Sequence, residues 1–280
     1  MKRQASFKNK SATLFLVATP IGNLNEFSSR AVEVLKNVNV IACEDTRTSK
    51  TLLKHFGIDN KLISYHNFNE KASTEGILSL LAQGKNIALI SDAGYPIISD
   101  PGYELVNNCI KHEYNVVPIS GANAALNALV ASGLSGSHFL FYGFLNNKSG
   151  EAHKELEALK KYPFTIIFYE APHRINKTLN LIYQIFGNRY CCLAREITKQ
   201  YEEFIRGNLD EIKDLENLKG EMVIVLDGYK NDDKDICYDD LIEIVHEYIK
   251  LGMSTKDAIA VVAKEHGVSK KDVYNRYHQA

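Results

Sequence analysis

The 280-residue chain has no apolar run near the length of a bilayer span, which excludes a helical membrane crossing. Its first ten residues, MKRQASFKNK, are basic and polar and lead into no apolar stretch of their own. They read as neither signal peptide nor anchor, so a soluble, cytoplasmic protein is expected. The five cysteines (Cys43, Cys109, Cys191, Cys192, Cys237) are odd in number and form no Cys-x-x-Cys pair. They are expected to be reduced and largely in the core. The nine histidines lack His-x-x-x-His or mixed Cys/His ligand spacing, so no metal site is expected. A Gly-x-Ser-x-Gly elbow and a Walker A loop are also missing, which argues against those two ways of placing a nucleophile or a phosphate. Nor is there an excess of charge: 33 Lys and Arg stand against 34 Asp and Glu. A dedicated nucleic-acid binder would usually be basic overall, so any such partner must be held by local patches.

What the chain does have is ordinary globular material, 45% apolar, and enough length for two domains or one domain with an appendage. Apolar strands alternate with amphipathic helices. Strands are expected at Thr13–Ala18, Val40–Cys43, Leu62–Tyr65, Asn86–Ile90 and Asn115–Ile119. Helices are expected from about Ser28, over Ser49–Phe56, Ser73–Gln83 and Tyr103–His112, and through an alanine-rich run ending at Ala131. Ser28 can cap its helix and Gly57 can end the next. The alternation predicts a largely parallel sheet with ligands at its carboxyl edge.

The stretch Leu89–Gly102, LISDAGYPIISDPG, stands out. A buried strand runs into two successive turns in which Gly94 and Gly102 permit close approach of backbone to a bound molecule, while Pro96 and Pro101 stiffen the loop. Such a loop can be a plain strand-to-helix connection or a binding loop. Beyond a hinge at Gly133–Ser137, strands are expected at Phe139–Phe144, Thr165–Tyr169, Tyr190–Ala194, Tyr201–Arg206 and Met222–Leu226. Helices are expected over about Glu151–Lys160 and after Pro172, and the crowding of strands after Tyr190 predicts a mixed sheet. A polar linker, Gly228–Asp235, leads to three short helices over about Asp239–Lys250, Ser254–Glu265 and Ser269–Tyr277. The last carries Lys270, Lys271 and Arg276. These helices read either as a helix-turn-helix or as a helical cap or dimer contact.

Five segments taken together, ATPIGN (Ala18–Asn23), EDTR (Glu44–Arg47), SDAGYPIISDPG (Ser91–Gly102), FYGFL (Phe141–Leu145) and YEAPHR (Tyr169–Arg174), closely resemble the ribosomal small-subunit RNA methyltransferase I family. That family belongs to the tetrapyrrole-methylase-like, class III S-adenosylmethionine enzymes. The resemblance runs from about Leu14 to Gly228, and the three-helix tail resembles an extension that many members carry. It implies two α/β domains, residues 11–135 and 136–228, with the methyl donor in the cleft between them, and a helical extension at 238–280. It also implies a homodimer and 2′-O-methylation of a cytidine ribose in the decoding region of 16S ribosomal RNA. Two departures stand out. Tyr95 replaces a usual threonine, and Ser120-Gly121-Ala122-Asn123-Ala124 replaces a usual Pro-Gly-Pro-Ser-Ala.

By this resemblance Asp92, Ala93 and Gly94 would contact the methionine and ribose portions of S-adenosylmethionine, with Ile97 and Ser99 beneath the sulfonium. Ser120 and Gly121 would add contacts nearby. Leu145, Ala171, Met222 and Val223 would enclose the adenine, and Pro20 would stand where donor and acceptor meet. A ribose hydroxyl is a poor nucleophile at neutral pH, so a positioned base could help: Asp45, Glu170 and Glu196 are the candidates. Alternatively the EDTR segment is a structural ion-pair turn and no residue acts as base. Arg30, Arg47, Lys148, Arg174, Arg195 and Lys199 fall near expected strand ends and are candidates for RNA phosphate contacts, on naked RNA or on the assembled small subunit. Tyr95, Tyr142 and Tyr169 could support a displaced base, or could simply fill core. Two other readings stay open: a tetrapyrrole-precursor methyltransferase of the same superfamily, and a non-catalytic RNA-binding assembly factor.

Overall fold

The computed structural model describes residues 3–6, 8–9, 11–230 and 238–279. Cys237 and most of the polar linker, residues 231–235, lie outside them, as do residues 1, 2, 7 and 10 of the basic start and residue 280. The chain divides into two units, Met1–Gly228 and Tyr229–Ala280.

In the first half of the larger unit, strands and helices alternate: β1 (Thr13–Val17), α1 (Ser29–Asn37), β2 (Val40–Cys43), α2 (Thr46–His55), β3 (Leu62–Ser64), α3 (Glu70–Ala82), β4 (Ile87–Ile90), α4 (Tyr103–Lys111), β5 (Asn115–Ile119) and α5 (Ala124–Ser132). The five strands pair in parallel in the order β3-β2-β4-β1-β5. β2 and β4 are buried at every position, as a parallel sheet covered on both faces requires. On one face Ala31 and Leu35 of α1 and Leu53 of α2 pack on Val17, Ile41 and Ile90. On the other, Ile77 and Leu81 of α3 and Leu105 and Cys109 of α4 pack on Leu14, Ala42 and Leu89. Because every strand runs the same way, the turns after β1, β2, β4 and β5 gather at one edge.

The second half adds β6 (Phe139–Phe144), α6 (Ser149–Leu159), β7 (Thr165–Glu170), α7 (Ile175–Phe186), β8 (Tyr190–Arg195), β9 (Glu203–Asn208), α8 (Leu209–Ile212) and β10 (Met222–Leu226). Its sheet runs β6-β7-β10-β8-β9, with β6 and β7 parallel and the other pairs antiparallel, the mixed sheet expected from the sequence. Register places Met222 opposite Glu170 on one side and Arg195 on the other. One face packs Ile166, Phe168 and Ile224 against Leu156 of α6 and Leu179 and Ile182 of α7.

The other face is covered by α5, which follows the first sheet in sequence. Ala125, Ala128 and Leu129 lie on Ile167, Cys192, Ala194, Val223 and Val225. Small side chains let the helix approach the strands closely, so the alanine-rich run serves inter-sheet packing. Both ends of α5 are tied to the second sheet. The Tyr169 hydroxyl accepts from the Ala125 N–H at 3.2 Å, and Arg206 donates to the Ala131 carbonyl at 2.7 and 3.1 Å.

Several boundaries differ from the sequence reading. α2 starts at Thr46, because the Asp45 carboxylate caps it through the Arg47 N–H at 2.8 Å. α3 starts at Glu70; the preceding polar turn is folded by Asn69, whose side chain accepts from the His66 N–H at 2.8 Å. β9 starts at Glu203, since Glu196 and Thr198 take left-handed backbone and a turn brings the Glu202 N–H onto the Lys199 carbonyl. α8 and a 3₁₀ turn at Leu24–Glu26 were not foreseen.

The smaller unit holds α9 (Tyr238–Lys250), α10 (Thr255–Glu265) and α11 (Lys270–Gln279). Leu241, Val245, Ile259, Val262 and Val273 form its own core. Ser254 caps α10 through the Asp257 N–H, and Gly252 and Gly267 turn the chain between helices. Arg276 forks onto the Asp239 carboxylate at 3.0–3.2 Å, while Lys270 and Lys271 are exposed.

Candidate active site

The loop after β4 is fastened at both ends. Thr19 and Gly94 exchange two backbone hydrogen bonds, 2.8 and 3.1 Å, across the ends of β1 and β4. The Ser91 hydroxyl donates to the Gly94 carbonyl at 2.9 Å, and the Thr19 hydroxyl to the Ser91 carbonyl at 3.1 Å. At the far end the Glu70 carboxylate accepts from the Gly102 N–H and the Tyr65 hydroxyl, each at 3.1 Å. Between these anchors Gly94 sits at φ 77°, and Ile97 and Ser99 are also left-handed, at 78° and 70°. For side-chain-bearing residues this conformation costs of order 1–3 kcal/mol each and persists only where the surroundings enforce it. Gly102 plays another part than the one expected of it. A Cβ there would meet Leu89 and Ile97 within 3 Å, so its glycine serves packing at the start of α4 rather than approach of a ligand.

This loop forms one wall of a cavity of about 390 Å³. Asp92, Ala93, Gly94, Tyr95, Ile98, Ser99 and Asp100 line it from the first sheet, and Ile21 and the start of α5, Asn123 and Ala124, close one end. The second sheet supplies Phe144, Tyr169–Pro172, Ile197 and Glu221–Val223. The two sequence departures meet behind the loop, where the Tyr95 hydroxyl accepts from the Gly121 N–H at 3.2 Å.

Charge in the cavity is acidic. Burial first, then the nearby charges of Glu44 and Asp92, push the Asp100 carboxyl up to about 6. Opposite, Glu170 is buried under the Thr178 hydroxyl at 2.5 Å and the Ala171 N–H at 2.8 Å, with the Arg174 guanidinium 3.4 Å away.

Of the expected donor contacts, Asp92, Ala93, Gly94, Ser99, Ala171, Met222 and Val223 line this cavity together, and Glu170 joins them. Pro20 lines a neighbouring hollow that shares Asp92. Leu145 lines a third, with Ala171. Ile97, Ser120 and Gly121 support from behind: Ile97 packs under Gly102, the Ser120 carbonyl accepts from the Ser28 hydroxyl, and Gly121 holds Tyr95. Asp100, Asn123, Ile197 and Glu221 are lining residues that sequence reasoning missed. Asp100 and Asn123 enter the sequence reading only as members of the Ser91–Gly102 segment and of the departing Ser120–Ala124 loop.

The other two candidate bases lie away from the cavity lining. Asp45 caps α2 and pairs with Arg47 at 2.8 Å, whose hydrogen bonds hold its carboxyl down at about 2. Burial opposes ionisation of Glu196, but the Glu221 N–H and the Lys199 ammonium outweigh it and hold its carboxyl below the usual range. Of the six candidate cations, Lys148 and Arg174 come together on the third hollow, and Arg174 also donates to the Leu145 and Asn146 carbonyls. Arg195 pairs with Glu203 at 2.9 Å, and Lys199 bridges Glu196 and Glu221, both at 3.0 Å. Arg30 and Arg47 project from the first turns of α1 and α2.

Comparison with known proteins places this geometry. Residues 13–213 match the family described as Tetrapyrrole (Corrin/Porphyrin) Methylases, and residues 251–280 match the RsmI C-terminal HTH domain. The diphthine synthase crystal structure shares the fold with a TM-score of 0.59 at 13% identity, covering 78% of this chain and 90% of that one. The chain is 47% identical to "Ribosomal RNA small subunit methyltransferase I" of Bacillus subtilis, over 99% of each chain. It is 46% identical to the protein of that name from Halalkalibacterium halodurans over the full length of both. Full-length identity of this order, with four of the five motifs contributing to one cavity, means that the chain belongs to the ribosomal RNA small subunit methyltransferase I family of tetrapyrrole methylases.

Proposed function

We propose that this protein is an S-adenosylmethionine-dependent methyltransferase acting on the 2′-hydroxyl of a cytidine ribose in the decoding region of 16S ribosomal RNA. The observation that carries this reading is the cavity between the two sheets, built from the family's own motifs in a full-length relative of small-subunit RNA methyltransferases.

The cavity suits the donor chemically. Two carboxylates, Asp92 and Asp100, offset a cationic ligand, while Ala171, Ile197, Met222 and Val223 offer an apolar slot for a purine, and Ser99 and Asn123 add polar contacts. When bound there, S-adenosylmethionine supplies an electrophilic methyl group, and that reactivity belongs to the cofactor. The chain's task is to hold the ribose oxygen in line and to accept its proton. Asp45, Glu170 and Glu196 remain the candidate acceptors from sequence. Glu170 is the one that reaches the cavity, and Asp100, held near 6, is better matched to a proton transfer at neutral pH. RNA phosphates would meet Lys148 and Arg174 on the third hollow and Arg30 and Arg47 along the sheet edge, with Arg195 and Lys199 supporting through their carboxylate partners. The reading takes small-subunit ribosomal RNA, naked or in the assembled subunit, as substrate, the cytoplasm as the compartment and a homodimer as the working form. Leu126 and Val130, exposed one turn apart on α5, would gain cover in such a dimer.

Radiolabelled methyl transfer tests the reading. Undermethylated small subunits, the matching naked RNA and a tetrapyrrole precursor are offered in parallel. Label is expected in subunit RNA as 2′-O-methylcytidine; label only in the tetrapyrrole would overturn it.

A further inference from the structure

A second hollow, of about 520 Å³, lies between α2 and the turn after β1. Thr48, Thr51, Leu52 and His55 of α2 line it, spaced i, i+3, i+4 and i+7, so they share one helix face. Here Thr48, Thr51 and His55 are exposed. Opposite stand Pro20 and Leu24 from the turn after β1, and Ser91 and Asp92 close the inner end. Asp92 therefore lines this hollow and the donor cavity alike, from the loop that both share.

We propose that this hollow receives the acceptor nucleoside, a pyrimidine riboside turned out of its stack, and that the α2 face reads its base. The proposal deepens the RNA-methyltransferase reading and rests on it. The volume lies within the range of small-ligand sites. Leu24, Leu52 and Pro20 give apolar surfaces for the two faces of a flat ring. The Thr48 hydroxyl and the His55 imidazole can both donate and accept, and the Thr51 hydroxyl, which donates to the Arg47 carbonyl at 3.2 Å, keeps its lone pairs as acceptors, a mixture that suits the edge of cytosine. The bulk of a duplex keeps a ribose displayed on its shallow minor groove out of a recessed site, so an acceptor cup beside the donor cavity that admits a single displaced nucleotide answers a geometric need. The third hollow does not meet it as well. It carries Lys148, His173 and Arg174, groups suited to phosphate, and it does not include Asp92.

The test fills the hollow without touching the core. Thr51 is exposed on the lining face, so Thr51→Trp places an indole in the cup. His55→Gln removes the imidazole but keeps a hydrogen-bonding side chain. Formation of 2′-O-methylcytidine on undermethylated subunits is measured together with calorimetric S-adenosylmethionine affinity. Thr51→Trp is expected to lower kcat/KM for subunits by about 100-fold while donor Kd stays within about twofold. His55→Gln is expected to act mainly on the KM for subunits. Wild-type kcat/KM in Thr51→Trp would overturn the proposal, and so would a matching loss of donor affinity, which would assign the face to the donor site. If the wild type binds donor yet forms no methylcytidine, the functional reading falls, and this assignment falls with it.

Discussion

Asp100 shows how a residue's chemistry depends on where the fold puts it. In the sequence it is the third-last residue of a turn. In the structure it is half-buried beside Asp92, from its own loop, and Glu44, from the end of β2. No local pattern announces that meeting, because Glu44 and Asp100 are joined only through parallel pairing of β2 and β4. Asp92 and Gly94, by contrast, were named through the family resemblance of the Ser91–Gly102 segment, where the local pattern alone fitted a plain connection as well as a binding loop, and both line the cavity. The raised Asp100 pKa has two consequences of definite sign. Its folded value, about 6, lies above the ordinary 3.8, so its contribution to stability is fully present below pH 4 and is lost as pH rises from 4 through 6. Asp100→Asn should therefore raise the melting temperature at pH 7, relative to wild type, more than at pH 4. A cationic donor binds best once this carboxyl is ionised. Donor affinity in the wild type should rise between pH 5 and 7 and flatten in Asp100→Asn, as calorimetry across that range would register; Glu44 and Asp92 are the other charges facing the group.

Helices contributed more to the site than their sequences suggested. Strand ends, the helix stop at Gly57 and the cap of Ser28 followed from residue chemistry alone and stand in the structure. The start of α2 did not, because Asp45 looked like part of a charged turn when its carboxylate is the cap. The seat of α5 was equally hidden: an alanine-rich helix says that something approaches closely but not what. Here it is the second sheet, so the run after β5 unites the two halves. Ala128 is fully buried in that contact. Ala128→Leu should destabilise by about 1–3 kcal/mol through overpacking, seen as a lower denaturation midpoint, and should loosen donor binding because Asn123 and Ala124 begin the same helix. An unchanged midpoint would mean that the contact has slack.

At the scale of the molecule, two sheets of different kind and a separate helical unit share one chain. Family motifs announced this plan, and alternation of strands with helices announced the first sheet; which residues of the two sheets face each other came only from the packed structure. The unit Met1–Gly228 contains the whole donor cavity and cores of its own, and Tyr229–Ala280 has a separate core. A chain ending at Gly228 should accordingly keep donor affinity while losing about tenfold or more in transfer to subunits, if the basic α11 contributes phosphate contacts. The most direct test of the account is calorimetric titration of S-adenosylmethionine into the wild-type protein and Asp92→Ala. The variant should fold normally, since Asp92 is exposed at the cavity rim, and should lose about 10- to 100-fold in affinity with the loss of a charged contact. Equal affinities in the two proteins would contradict the placement of the donor between the sheets.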